Sequence, residues 1–203
     1  MTVEPRTLQT DAEKAIVENF ERVVATLPGG ADVRARREAA FDTFRRTGLP
    51  HRRIEEWKYT DLRALVRKAV PPAPRPSAEA ARSALAASPD PLAGLDRYTL
   101  VIVDGYYFDA LSDVKSLTAN GIEVTPIMGG PADEDTSTSA FATPELAVGD
   151  IAFALNTAFV TDGVRVRIGA GVLLDKPLEI RHVTTAAHAV TSRHAVLVGP
   201  SAV

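Results

Sequence analysis

The period of the apolar residues changes along this chain, and that change limits the folds open to it. Near the N-terminus Ile16, Phe20, Val23, Val24 and Leu27 lie at the spacing of one helical face. Near the C-terminus Val164, Val166 and Ile168 alternate with Arg165 and Arg167, the spacing of a half-buried strand. Neither an all-helical nor an all-strand fold accommodates both patterns, so the chain reads as α+β.

The helical part carries its own punctuation. Thr10 and Glu13 form a capping box ahead of the first stripe, and Pro28-Gly29-Gly30 stops it. Asp32 is placed to cap a second helix with Val33, Ala40, Phe41 and Phe44 inward and the arginines outward, ending at Gly48 and Pro50. The two helices are expected to pair as a hairpin. Asp61 is placed to cap a short helix reaching about Arg67. Pro71, Pro72, Pro74 and Pro76 then give a semi-rigid linker, followed by an alanine-rich stretch, Ser77 to Ser88, that suits either a weak helix or disorder.

Tyr98 to Val103 reads as a strand, turned by Asp104-Gly105 into Tyr106-Tyr107-Phe108. Asn120-Gly121 leads into a further strand, Ile122 to Ile127. Gly129 to Ser139 reads as a polar, acidic, mobile loop. Thr143-Pro144-Glu145 is expected to open a helix burying Leu146, Ile151, Leu155 and Phe159. After Val164 to Ile168, strands are expected around Leu178, Ile180 and His182 and over Ala195 to Val198, with Val172-Leu173-Leu174 between the turns Gly169-Ala170-Gly171 and Asp175-Lys176-Pro177. Strands this short with turns this regular suit a solenoid coil or a β-sandwich. The scarcity of hairpin dipeptides after Asp162-Gly163 favours the solenoid. An apolar strand ending at Val203 without a polar cap would leave an open edge, so the sequence predicts either a fragment or a chain whose partner closes the stack.

Composition narrows the function. Cysteine is absent, which excludes disulfides, thiolate nucleophiles and thiolate metal ligation by this chain alone. No run of about 18 apolar residues exists, and the first residues are polar and acidic, so the expected location is the cytoplasm, with no membrane partner. Charge is segregated: Asp32 to Lys68 holds 11 Lys/Arg against 6 Asp/Glu, a balance of +5, whereas Asp90 to Asp150 holds 2 against 11, a balance of −9. Such opposed surfaces steer partners or pair within an oligomer, a homodimer included, or are simply solvated. A sequence pI near 5.8 and the lack of a stacking array argue against nucleic acid.

Two stretches offer chemistry. The first runs from Gly48 to Leu62 and holds the only tryptophan, Trp57. Arg52, Arg53 and Lys58 beside aromatic rings could bind an anion. The architectural reading has Trp57 and Tyr59 anchoring the loop to the helices, Glu55 pairing with a nearby arginine, and Thr60 or Asp61 capping the next helix. The second is His182, His188 and His194, spaced by six; converging, neutral imidazoles would suit iron or zinc, but such spacing does not require convergence. Asp133, Glu134 and Asp135 look solvating, and no phosphate-binding glycine loop or serine elbow is present. No residue is therefore assigned a catalytic, cofactor-binding or metal-binding role.

Pro50, Arg52, Glu55 and Trp57-Lys58-Tyr59-Thr60 resemble the N-terminal signature of the SufB/SufD family, scaffolds of iron–sulfur cluster assembly, and its SufD branch in particular. Val103-Asp104-Gly105-Tyr106-Tyr107 with Leu111-Ser112, Gly121 to Pro126, and Ala154-Leu155-Asn156 through Gly163-Val164 agree with it. The resemblance implies an N-terminal helical domain followed by the first coils of a right-handed β-helix. The domains would then be 1–70 helical, 71–97 a Pro/Ala-rich linker, 98–160 a small α/β segment, and 161–203 a truncated β-helix start. It further implies a non-enzymatic scaffold partnering a SufB-like paralogue and a SufC-like ATPase. An iron–sulfur cluster would be held transiently by the full complex, and its ligands would lie beyond Val203. The competing readings are a β-solenoid acyltransferase, whose six-residue glycine period Gly163, Gly169 and Gly171 do not sustain, and a plain structural or binding solenoid.

Overall fold

A computed structural model describes residues 10–128, 147 and 149–203. Its described residues divide into two compact units, one drawn from Met1–Pro72 and Phe141–Val160, the other from Ala73–Ala140 and Thr161–Val203. The expectations placed on Gly129 to Ser139, on the Thr143-Pro144-Glu145 helix start and on Leu146 lie outside the described residues.

The first unit is helical. Helix α1 (Asp11–Val23) starts with the expected capping box, Glu13 N–H on Thr10 Oγ1 and Thr10 N–H on Glu13 Oε2. Helix α2 (Ala31–Thr47) ends at Gly48, whose φ of 67° and N–H bond to Phe44 O close it. Its N-cap is Gly30 and carries no side-chain bond, so Asp32 does not cap it but sits inside the first turn, near the positive end of the helix dipole. Short α3 (Leu62–Leu65) is capped by Asp61 Oδ1 on Ala64 N–H at 2.9 Å, and α6 (Ile151–Phe159) by Asp150. The core is aromatic: Phe20 stacks on Phe41 at 3.9 Å, and Phe159 meets both edge-on. Phe44, Leu49 and Ile151 complete it, with Leu155 partly buried against them. One arginine breaks the expected pattern. Arg37 is fully buried, donating to Ala158 O at 3.1 Å and Pro28 O at 2.8 Å. Two carbonyls left without partners at a helix end and a turn supply the reason.

The second unit holds two small, open sheets. Strand β1 (Tyr98–Val103) lies between β2 (Tyr106–Tyr107), antiparallel across the Asp104-Gly105 turn, and β5 (Leu178–Val183), parallel with Tyr98 opposite Leu178. Strand β4 (Val164–Ile168) lies between β3 (Ile122–Pro126), antiparallel, and β6 (Ala195–Val198), parallel with Arg165 opposite Ala195. Leu100, Ile102, Leu117, Ile122, Val164 and Val166 form the core, with α5 (Val114–Ala119) contributing Leu117. Outward-facing Val101 and Val103 are covered by Ala81, Ala84 and Leu85, so β1 is apolar on both faces.

The alanine-rich stretch is helix α4 (Ala78–Ala87), capped by Ser77 Oγ on Ala80 N–H. The segment after it is fastened to β5 by an ion network: Arg97 bonds Asp90 at 2.7 Å and Glu179 at 2.6 Å, and Arg181 reaches Asp90 at 3.3 Å. The proline linker is likewise pinned. Ala73 N–H donates to Ala189 O, and the Arg75 guanidinium lies over the Tyr106 and Phe108 rings while reaching Asp162. Val172-Leu173-Leu174 forms no strand with β4 or β6; Val172 O accepts from Val203 N–H and Leu174 N–H donates to Val203 O, far along the chain.

The α+β class is thus as expected. A β-helix is not established by two open three-stranded sheets.

Candidate functional site

The Gly48–Leu62 stretch folds as a closed loop on the helical unit. Arg63 N–H returns to Pro50 O at 3.1 Å, so residues 51–62 leave and re-enter at one point. Inside, overlapping turns use up the backbone: Ile54 N–H on His51 O, Trp57 N–H on Ile54 O and Thr60 N–H on Trp57 O, each at 2.9 Å.

The closure is held from beneath by Glu13. Its carboxylate is wholly buried. Oε1 accepts from Leu49 N–H at 2.9 Å; Oε2 accepts from Thr10 N–H at 2.9 Å and lies 3.6 Å from Arg63 Nη2. One side chain therefore caps α1 and clamps both feet of the loop. A buried carboxylate tolerates its desolvation only with such donors around it. The capping box was visible in the sequence, but Leu49 and Arg63 were not, since they lie far along the chain.

The anchoring role expected of the aromatics divides. Trp57 is half-buried, but Tyr59 is 91% exposed, with Lys58 Nζ 5.3 Å from its ring centre. Glu55 pairs with Lys58 at 2.5 Å and not with an arginine. Arg52 and Arg53 are exposed and make no ion pair among the described residues. Ile54 and Leu65 also stand exposed.

The histidines divide too. His182 and His194 converge across the sheets, Nε2 to Nε2 at 3.1 Å with rings edge-to-face. His188 does not join them: among the described residues no group of three or more His, Cys, Asp or Glu could hold a metal ion. Tautomer chemistry also speaks against metal. His194 Nδ1 accepts Val164 N–H at 3.1 Å, so its proton sits on Nε2 and is donated to His182. Coordination through Nε2 would move that proton to Nδ1, against the Val164 N–H. Burial lowers the pKa of both histidines. That of His194 falls to about 4, the neighbouring imidazole adding to it. The pair is a neutral hydrogen bond joining β5 to the β4–β6 ladder.

At the same end of that ladder, where Asp162 bridges Ser192, Asp162 accepts from Tyr107 N–H at 3.1 Å and from Arg75, and burial raises its pKa. Asp104, expected only to turn a hairpin, is buried and accepts from Thr185 N–H and Thr185 Oγ1. Both carboxylates have structural partners.

Among the described residues no helix is long and apolar enough to cross a membrane. Fold and site together define a class: an α+β chain in which a helical unit displays a clamped basic loop, accompanied by small sheets with parallel ladders. Comparison with known proteins makes the assignment specific. The chain belongs to the SufBD family, its residues 21–180 matching the SufBD protein N-terminal region. It is 30% identical over 139 residues to the iron–sulfur cluster assembly protein SufD of Escherichia coli (strain K12). That match covers 68% of this chain and 29% of the relative, so the chain spans less than a third of the relative's length.

Proposed function

We propose that this chain is the N-terminal part of a non-enzymatic scaffold subunit of cytoplasmic iron–sulfur cluster assembly, whose full-length form partners a SufB-like paralogue and a SufC-like ATPase. The observation that carries the reading is the return of β6 onto β4. The two strands pair in parallel at an offset of 30 residues, and β5, between them in sequence, lies in the other sheet. A strand that leaves one sheet, visits a second and comes back beside itself describes one turn of a solenoid. Parallel crossovers of this kind are right-handed in about 98% of cases, which supports a right-handed β-helix.

The inner face also supports continuation of the stack. Val196 stands opposite Val166 in the ladder and shares its side of the sheet, yet Val166 is fully buried and Val196 is 54% exposed. Val198, two residues on, is 60% exposed. A further strand beside β5 would cover both. With no cysteine, the chain brings no thiolate to a cluster, which is cargo of the assembled complex.

The test uses the full-length protein. Tagged and expressed in its own host, it is expected to co-purify with a sister scaffold and an ATPase, and its deletion to lower the activity of iron–sulfur enzymes. Retrieval of neither partner, with normal enzyme activities in the deletion strain, would overturn the reading.

A further inference from the structure

Tyr59 is not explained by packing, and neither are the charges around it. The loop at 51–62 is ordered by its own turns and clamped at both feet by buried Glu13, so its shape is fixed before anything binds. What it displays is unusual for a mere connection. Tyr59 is 91% exposed, and Ile54 and Leu65 stand exposed near it in the chain. Lone exposed apolar residues need no explanation. Here, though, they are interleaved with Arg52, Arg53, Arg67 and Lys68, which make no ion pair among the described residues. Of the acids in this stretch, Glu55 is taken by Lys58, and Asp61 accepts from Ala64 N–H, leaving Glu56.

We propose that the 51–62 loop, with Leu65, Arg67 and Lys68 beside it, is a preorganised docking surface for an acidic, aliphatic segment of a protein partner. The occupant follows from complementarity. Cations without an ion pair among the described residues, interleaved with apolar groups, select carboxylates interleaved with apolar groups, and tyrosine and arginine are the side chains that most often anchor protein interfaces. Rigidity matters as much as composition, since a clamped loop loses little further entropy on binding. Nucleic acid fits less well. Only one aromatic ring of the loop is fully displayed, Ile54 and Leu65 offer no stacking face, and the chain carries 26 acids against 23 bases. The surface lies wholly in the helical unit, so the proposal stands independently of the scaffold reading.

Two measurements test it. The first titrates the purified chain against a short fluorescein-labelled peptide of Glu, Asp and Leu, its Lys/Leu counterpart, and a single-stranded oligonucleotide, followed by anisotropy. The acidic peptide is expected to bind, the basic one not. Tyr59→Ala and the double variant Arg52→Glu/Arg53→Glu should each weaken binding about tenfold, the size of a typical anchor residue. Lys115→Glu, an exposed reversal in the other unit, should change it less than about twofold. The second places a photo-crosslinking amino acid at position 59 of the full-length protein in its host and maps the crosslinked peptide by mass spectrometry. A crosslink to an acidic segment of a different protein supports the proposal. Absence of acidic-peptide binding, equal loss with Lys115→Glu, no effect of Tyr59→Ala, tighter binding of the oligonucleotide, or crosslinks only to a second copy of the chain would overturn it.

Discussion

Glu13→Gln is the most discriminating change available, because it alters almost nothing in volume and tests one claim: that this carboxylate clamps the loop. The wild-type side chain accepts Leu49 N–H on one oxygen and Thr10 N–H on the other, with the Arg63 guanidinium 3.6 Å away. Bonds to a charged acceptor contribute about 1.5–3 kcal/mol each and neutral ones about 0.5–1.5 kcal/mol. Glutamine keeps one acceptor, so one bond falls to the neutral value, a loss of about 1 kcal/mol. The amide nitrogen then faces a backbone N–H, donor against donor, and that bond is lost outright at about 2 kcal/mol. The total is about 3 kcal/mol, a large share of a typical stability of about 5–15 kcal/mol. It corresponds to a drop in Tm of about 6–12 °C for a chain of this size.

The assay is built into the sequence. Trp57 is the only indole and sits in the loop, so its emission reads the loop while far-ultraviolet circular dichroism reads the helices. In urea, Glu13→Gln is expected to shift the Trp57 transition to lower denaturant by at least as much as the helical one. Glu18→Gln, an exposed glutamate on the same helix, is the control and should move neither by more than about 0.5 kcal/mol. If Glu13→Gln and Glu18→Gln behave alike, the clamp does not exist as described.

Gly163→Ala should be severe, since a Cβ there would lie 1.7 Å from Arg193 O; a loss of about 3 kcal/mol or more is expected in urea unfolding, against no significant loss for Gly94→Ala, which meets open space. Arg37→Met should cost about 2–3 kcal/mol by stranding the Pro28 and Ala158 carbonyls, and a thermal melt within 1 °C of wild type would refute its role. Stability should fall on acidification from about pH 6.5 towards 4, because His194 takes a proton more readily unfolded than folded: its folded pKa is lowered, so its contribution is present above 6.5 and lost as pH drops through about 4. Denaturant midpoints at pH 7 and pH 4.5 should therefore converge in His194→Gln, and an unchanged pH slope in that variant would sink the assignment.

Much of the fold was legible because its signals are local. The Thr10–Glu13 box, the Asp61 cap, the Asp104-Gly105 hairpin and the two-residue alternation of Val164, Val166 and Ile168 each need only a few neighbouring residues to act, and each appears where the sequence put it. The residues whose partners were not legible share the opposite property. Arg37 was expected outward by the amphipathic rule, but its partners are carbonyls of Pro28 and Ala158, and |i−j| for the second is 121. His182 and His194 meet because β5 and the β4–β6 ladder bring them together, which a spacing of twelve residues does not announce. Arg75 falls in the stretch read as a semi-rigid linker, and its contacts with Asp162 and two aromatic rings are distant in the chain.

Tyr59 shows most clearly where composition stops informing. The sequence placed an indole and a phenol two residues apart beside a helix cap, and packing was the natural assumption for both. The local backbone forbids it. Glu55–Trp57 is a 3-10 turn and Lys58 continues with helical dihedrals; at about three residues per turn, side chains two positions apart point about 120° apart. With Trp57 half-buried, Tyr59 points to another side and is 91% exposed. The same geometry that buries one ring displays the other, so the exposure of Tyr59 is a consequence of a well-formed loop and not of a loose one. That is why its contribution belongs to recognition: a truncation at Tyr59 should leave both unfolding transitions where they were, whereas one at Trp57 should not.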